Sequence, residues 1–149
     1  MNQDETVKRA SELVDSKTGY IGGGMEGYAV LALIDESGCP TASTLTIAKA
    51  HGIKWLTFTT SPDSNKAQRI TKDSRASVCL ASSEYNITLV GKIEIIDDIE
   101  AKKDNWMPLM ENGAHWTSPE DPNFCLLRFT TERYNIFFAD PYAETRGML

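Results

Sequence analysis

The sequence has few of the residues that build metal centres, disulfide frameworks or membrane spans. Its 149 residues include three cysteines and two histidines, and no apolar run approaches the roughly 18 residues of a transmembrane helix. Cys39, Cys79 and Cys125 form no C-x-x-C pair and are odd in number. We therefore expect reduced thiols in a cytoplasmic protein, with Cys79 and Cys125 in the core. His51 and His115 lack acidic or thiol neighbours at ligand spacing, so no zinc site is expected.

Positive charge is also scarce, because the chain has 15 Lys and Arg residues but 21 Asp and Glu residues, which gives a net charge of -6. This balance argues against a nucleic-acid surface, which needs a basic face, and against an anionic membrane as partner. The charged N-terminal segment lacks the apolar region of a signal peptide. No G-x-S-x-G motif occurs, and the paired carboxylates are explained by helix capping and solvation. If the protein is an enzyme, we expect a cofactor to supply the chemistry.

Hydrophobic periodicity predicts several short strands with few helices. The N-terminal helix carries an apolar stripe over residues 4–17, and further helices are predicted over 64–72 and 97–110. The predicted strands are 28–34, 40–47, 54–60, 75–82, 86–96, 124–131 and 133–139, and the last nine residues are predicted to be loose. Close turn signals favour a β-barrel or sandwich, and the absence of a linker favours one domain over residues 1–149.

A glycine-rich segment at residues 22–27, G-G-G-M-E-G, fits the dinucleotide-binding pattern G-x-G-x-x-G. That pattern binds pyrophosphate only between a strand and a following helix. Here the glycines follow a helix and precede a strand, which argues against a Rossmann site. The alternative is a flexible connection that packs close to a ligand or to a partner chain.

The segment T-T-S-P-D-S-N-K-A-Q-R, residues 59–69, concentrates anion-binding groups where a strand gives way to a helix. Ser64 is the predicted N-cap, and unpaired backbone N–H groups at a helix N-terminus favour an anion. Lys66 falls in the first turn, where the helix dipole disfavours a cation unless something negative binds there. The local pattern fits an ordinary capped surface helix, with Lys66 and Arg69 in solvent, equally well.

The preceding strand, T-A-S-T-L-T, is rich in small hydroxyl side chains. Ala42, Thr44 and Thr46 alternate along one face of this strand, with Thr41, Ser43 and Leu45 on the other. A filled barrel would use Val, Ile and Leu there, so the small side chains leave room for a flat ligand. Together, the strand and the following helix indicate a planar ligand with a phosphate tail.

Three segments in this order resemble the pyridoxamine 5′-phosphate oxidase-like superfamily of FMN-binding split β-barrels. They are D-E-S-G-C-P-T-A-S-T-L-T, then W-L-T-F-T-T-S-P-D-S-N-K-A-Q-R-I-T-K-D-S-R-A-S-V-C-L, then Y-N-I-T-L-V-G-K-I-E-I-I-D-D. The resemblance covers roughly residues 28–138. The chain's size, acidic N-terminal helix and A-H-W-T-S-P-E-D-P loop are most similar to the general stress protein branch. The implied fold is a mainly β, six-stranded-type antiparallel split β-barrel with flanking helices.

The resemblance implies FMN as cofactor, bound at the interface of a homodimer. The positions that match FMN-binding residues of the family are Ser43, Thr44, Leu45, Thr46, Thr59, Thr60, Ser61, Ser64, Asn65, Lys66, Asn86 and Trp116. Asn65 and Ser43 stand where the family usually has arginines, which implies weaker FMN binding. Asn86 matches a residue contributed by the other subunit. Trp116 either lies near the flavin or packs on the barrel as a loop aromatic.

Three functions remain open at the level of sequence. The first is a flavin-dependent oxidoreductase acting on an unidentified small acceptor, with NAD(P)H or another small redox partner. The second is a non-catalytic module that stores FMN or senses redox state, and the third is a barrel for another planar ligand, such as haem or a deazaflavin. The C-terminal sequence P-Y-A-E-T-R-G-M-L lacks the Arg-x-His motif of the true oxidases. Pyridoxamine 5′-phosphate oxidation itself is therefore not expected.

Overall fold

The computed structural model describes residues 1–19, 27–62, 64–106 and 116–149. These residues form three helices and seven strands. In chain order the elements are α1 (Gln3–Ser16), β1 (Tyr28–Ile34), β2 (Pro40–His51), β3 (Trp55–Thr60), α2 (Asn65–Lys72), β4 (Arg75–Ala81), β5 (Tyr85–Ile96), α3 (Ile99–Asp104), β6 (Cys125–Ala139) and β7 (Tyr142–Met148). None of the helices in these ranges is long and apolar enough to cross a bilayer.

The strands form one antiparallel sheet in the order β3-β2-β1-β4-β5-β6-β7, and a further pairing between β3 and β6 closes six of them into a barrel. The long strand β6 makes this closure possible. Its first part, up to Thr130, pairs with β3, and its second part, from Arg133, pairs with β7. The predicted mainly β, six-stranded split-barrel class is confirmed.

The core lies inside the barrel and follows the period-two alternation of the strands. Phe58, Phe129, Leu31, Ile47 and Leu89 are among the largest fully buried side chains. The helix α1 adds Ala10 and Val14 to the same cluster. An aspartate of this helix, Asp15, accepts a hydrogen bond of 2.7 Å from the Gly52 backbone N–H in the turn between β2 and β3. The predicted helix and its apolar stripe are therefore confirmed.

The second half of the chain differs from prediction in one strand. Residues 124–131 and 133–139 were predicted as two strands, but β6 runs without interruption from Cys125 to Ala139. The polar residues near its middle do not mark a turn, because Thr131 is buried and donates from Oγ1 to the Ile53 carbonyl. The pairing of β5 with β6 shifts register between Val90 and Gly91, where Glu132 of β6 has no partner in β5. A glycine within a strand is common at such a bulge.

The prediction of a loose C-terminus is wrong. Tyr142–Met148 forms β7, which pairs along its whole length with residues 133–139 of β6. Only Ala143 in this strand is buried, so the strand lacks the apolar alternation that would reveal it in the sequence.

Three other predictions concern short segments. The helix predicted over 97–110 is α3, which begins after the N-cap Asp98 and is followed by the C-cap Asn105, and residues 107–110 lie outside the described residues. Residues 22–26 of the glycine pattern, and also His115, lie outside the described residues. Cys125 is buried as predicted, and burial raises the pKa of its thiol, whereas Cys79 is only half-buried.

Candidate cofactor-binding site

The barrel is split where β2 changes partner. Residues 40–46 of β2 pair with β1, and Ile47–His51 pair with β3, so the two halves of this strand belong to different parts of the wall. The helix α2 packs against β1 and β5. A cavity of about 130 Å³ lies between α2 and the first half of β2. Its lining residues are Leu31, Leu33, Thr41, Ala42, Ser43, Asn65, Lys66 and Arg69.

Ser64 is the N-cap of α2, as the sequence predicts. Its Oγ accepts a hydrogen bond of 3.2 Å from the Ala67 backbone N–H and one of 3.1 Å from Thr60 Oγ1. The first turn contains no acidic side chain. The remaining first-turn N–H groups have no partner within the helix, and the helix dipole adds partial positive charge at the same end. The start of α2 therefore offers an anion both backbone donors and a favourable field.

Lys66 and Arg69 bring two cations to the cavity. Two side chains hold the Arg69 guanidinium in position. Its Nη1 donates to Thr41 Oγ1 at 3.1 Å, and its Nε approaches Glu36 Oε1 at 3.4 Å. A hydrogen bond from its own backbone N–H and the nearby Arg69 lower the pKa of the Glu36 carboxyl. The Arg69 side chain is 22% exposed and so stays open to a ligand.

Arg69 is the residue that the sequence-based site omits. It stands four positions after Asn65 and three after Lys66, which puts all three on one face of a helix. That spacing is visible in the sequence. The contacts of Arg69 with Thr41 and Glu36 depend on the tertiary fold and cannot be read from the sequence.

The hydroxyl-rich strand β2 divides its side chains between two faces, as predicted. Ser43 pairs with Leu31 and shares the cavity face, whereas Thr44 pairs with Val30 on the opposite face. Leu45 packs against the core, and Thr46 is half-buried. Of the four predicted residues on this strand, Ser43 alone lines the cavity.

Thr59, Thr60 and Ser61 lie where β3 ends and the chain turns towards α2. Thr60 reaches the site through its hydrogen bond to Ser64. Thr59 is half-buried and pairs with Leu126 of β6. The end of β3 and the start of α2 thus lie beside the first half of β2, the arrangement that segment 59–69 and the hydroxyl-rich strand together indicated.

Asn86 and Trp116 lie away from this cavity. Asn86 is exposed near the start of β5, and its Oδ1 accepts a 2.9 Å hydrogen bond from Thr88. The Trp116 indole donates to the Asn123 carbonyl at 2.7 Å, and its ring meets Phe124 edge-to-face at 5.2 Å. This packing matches the loop-aromatic interpretation of Trp116. A role for either residue in cofactor binding stays a prediction.

The cavity fits one end of a ligand. Sites that enclose a whole drug-sized molecule measure roughly 300–1,000 Å³, well above the volume found here. Two cations, a helix N-terminus and several hydroxyls instead suit a terminal phosphate, which accepts charge-assisted hydrogen bonds.

Comparison with solved structures shows the same fold in several proteins. A protein from Clostridium acetobutylicum related to general stress protein 26 of B. subtilis has a TM-score of 0.79 at 19% identity, covering 99% of this chain and 97% of that one. A pyridoxamine 5′-phosphate oxidase-related, FMN binding protein from Nostoc punctiforme has a TM-score of 0.63 at 18% identity, covering 98% and 94%. A heme binding protein from Mycobacterium smegmatis has a TM-score of 0.66 at 18% identity, covering 93% of this chain and 57% of that one.

The sequence itself matches the family model described as pyridoxamine 5′-phosphate oxidase, over residues 25–137. No curated protein matches the chain. The family match spans most of the 149 residues and includes the whole candidate site. The resemblance drawn from the sequence is therefore confirmed, and the chain belongs to the pyridoxamine 5′-phosphate oxidase family.

Proposed function

We propose that the protein binds FMN, with the phosphate in the cavity at the N-terminus of α2. The observation that carries this proposal is the convergence of Lys66, Arg69 and the Ser64-capped helix end on one phosphate-sized space. The family match and the FMN binding neighbour support the choice of ligand.

Arg69 supplies a positive charge to the phosphate site, which lacks two arginines that related proteins are expected to have. The sequence has Asn65 and Ser43 where related proteins are expected to use arginines. In the fold, Arg69 supplies a guanidinium to the same cavity from one turn further along α2. We therefore propose a phosphate held by Lys66, Arg69, the Ser64 hydroxyl and first-turn backbone N–H groups.

The isoalloxazine would lie along the outer face of β2 beside Thr44, while Ser43 on the cavity face would stay near the phosphate. Thr44 shares the outer sheet face with Val30, a residue that is 37% exposed. An exposed valine beside small hydroxyl residues suits contact with a flat ring or with a second subunit. We propose a homodimer that covers this face, with Asn86 of each subunit near the cofactor of the other.

The proposed activity is oxidoreduction between a small donor such as NAD(P)H and a small acceptor. Bound FMN would supply the redox chemistry. The chain's own residues would hold the phosphate, fix the position of the ring and limit its contact with water. A non-catalytic FMN-binding module uses the same binding residues and differs only in turnover.

A haem ligand is the second candidate, because the heme binding protein from Mycobacterium smegmatis shares the fold. His51 is the single histidine among the described residues, and it is exposed at the end of β2 with its ring 6.1 Å from that of Trp55. The phosphate-sized cavity between α2 and β2 favours a nucleotide over a haem.

The direct test is the visible spectrum of the purified protein before and after titration with FMN, followed by anaerobic mixing with NADH or NADPH. We expect a flavin spectrum and quenching of FMN fluorescence on binding. Bleaching of the flavin by either nucleotide supports the oxidoreductase, and a flat trace supports the non-catalytic module. A Soret band with no FMN binding would contradict the proposal.

A further inference from the structure

A second cavity lies beside β3 and α3, separate from the phosphate site. It measures about 230 Å³ and is lined by α3 and by the barrel wall of β2, β3, β5 and β6. It shares no lining residue with the cavity at α2. The FMN proposal leaves this space without a role.

The floor of the second cavity is polar, but its hydrogen bonds are already satisfied. The Thr57 hydroxyl donates to Asn105 Oδ1 at 2.6 Å and accepts from the Lys49 backbone N–H at 3.0 Å. The Asn105 amide donates to the Ala101 carbonyl at 2.8 Å. Since Thr57 and Asn105 are both buried, this network fixes α3 against the barrel and gives the cavity a rigid base.

Two cations flank this base. The Arg128 guanidinium lies 4.7 Å from the centroid of the Trp55 ring, and the Lys49 side chain is exposed. In the described part of the chain neither Lys49 nor Arg128 forms an ion pair within 4.0 Å, although Glu94 is the cross-strand neighbour of Arg128. In a protein of net charge -6, two cations at one cavity with no ion-pair partner among the described residues are an unusual arrangement.

The remaining lining residues of this cavity indicate the shape and the charge of a suitable ligand. Trp55 provides a flat aromatic surface, and Ile96 and Leu126 provide aliphatic ones. Asp104 also lines the cavity, so the lining carries two positive charges and one negative charge. The resulting charge of plus one suits a monoanion better than a phosphate dianion, which Asp104 would repel. The volume is below the range for drug-sized ligands.

We propose that this cavity binds a small monocarboxylate with a planar apolar body. The carboxylate meets Lys49 and Arg128, and the apolar body lies against Trp55 and the aliphatic wall. Arg128 is held over the indole ring and is therefore already oriented towards the cavity, which reduces the entropy lost when it binds a carboxylate.

Benzoate is a suitable probe, with benzamide as its neutral isostere and inorganic phosphate as a dianion. Each is titrated into the full-length, isotopically labelled protein, and the backbone and indole amide resonances are followed by NMR. We expect benzoate to shift the Lys49 backbone and Trp55 indole resonances at millimolar concentration, about 1–10 mM, and to bind more tightly than either control probe.

Two variants locate the carboxylate contact. Lys49→Gln and Arg128→Gln should each weaken benzoate binding about tenfold, because each removes a charge-assisted contact. The matched control is Lys54→Gln, since Lys54 is an exposed lysine in the neighbouring turn that does not line the cavity. If Arg128→Gln fails to fold, Lys49→Gln decides the question, because that side chain is exposed.

The proposal is overturned if benzamide or phosphate binds as well as benzoate, or if both glutamine variants bind benzoate like the wild type. It is also overturned if about 10 mM benzoate shifts no resonance of the cavity. Benzoate binding should persist in FMN-saturated protein, and FMN affinity should be unchanged in both variants. Displacement of benzoate by FMN would assign the anion to the α2 cavity instead.

Discussion

Lys66→Ala separates recognition of a phosphate from recognition of a flavin ring. Lys66 is half-buried at the cavity in the first turn of α2, and it forms no ion pair within the described residues. Alanine is a better helix former, and removing a cation from the N-terminal turn relieves an unfavourable dipole interaction. The substitution should therefore leave the free energy of unfolding unchanged or slightly higher.

The effect on ligand binding should be large and specific. One charge-assisted contact with a phosphate contributes about 1.5–3 kcal/mol, which corresponds to a loss of roughly tenfold to 150-fold in FMN affinity. Riboflavin has the same ring without the phosphate, so its affinity should not change. The assay is quenching of flavin fluorescence, with both ligands titrated into the wild type and the variant.

Lys72→Ala is the matched control, because Lys72 lies in the last turn of the same helix and does not line the cavity. It should leave FMN affinity at the wild-type value. If Lys66→Ala weakened FMN and riboflavin equally, the lysine would contact the ring and the orientation of the ligand would be wrong. Unchanged FMN affinity would show that Lys66 does not contact the ligand.

Three further substitutions test neighbouring parts of the structure. Asn65→Arg should tighten FMN binding about tenfold in the same fluorescence titration, and weaker binding would mean that residue 65 does not face the phosphate. Gly91→Ala should lower the melting temperature by several degrees, because a Cβ there would collide with the Thr130 carbonyl and cost roughly 1–3 kcal/mol; an unchanged value would mean that β5 and β6 separate freely. The hydrogen bond from Arg75 lowers the pKa of Asp73 to about 2, below the ordinary 3.8, so its stabilising effect is present above pH 4 and lost as the pH falls towards 2. Arg75→Gln should raise the Asp73 pKa in an NMR titration, whereas a wild-type value near 4 would contradict the contact.

Local sequence signals predicted the parts of the site that depend on local physics. Ser64 is recognisable as an N-cap because a serine precedes a polar helix after a proline turn. The alternation of hydroxyl and small residues in β2 likewise follows from the strand period. These two signals predicted that β2 and the start of α2 lie together, and in the structure both line one cavity.

Features that depend on distant contacts were not predictable in the same way. Strand β6 looks interrupted at Thr131 and Glu132, yet the Lys54 carbonyl accepts a hydrogen bond from the Thr131 N–H and keeps the strand continuous. Strand β7 is held by pairing with β6 and buries little apolar surface, so its sequence resembles a loop. The role of Arg69 depends on Thr41 and Glu36, which precede it by 28 and 33 residues.

The most direct test of the account is a crystal structure of the protein with FMN. We predict the phosphate at the N-terminus of α2, within hydrogen-bond distance of Ser64 Oγ and the Lys66 ammonium and in contact with the Arg69 guanidinium. The ring should extend from there along β2. FMN bound with its phosphate elsewhere, or with its ring in the cavity at α2, would contradict the account.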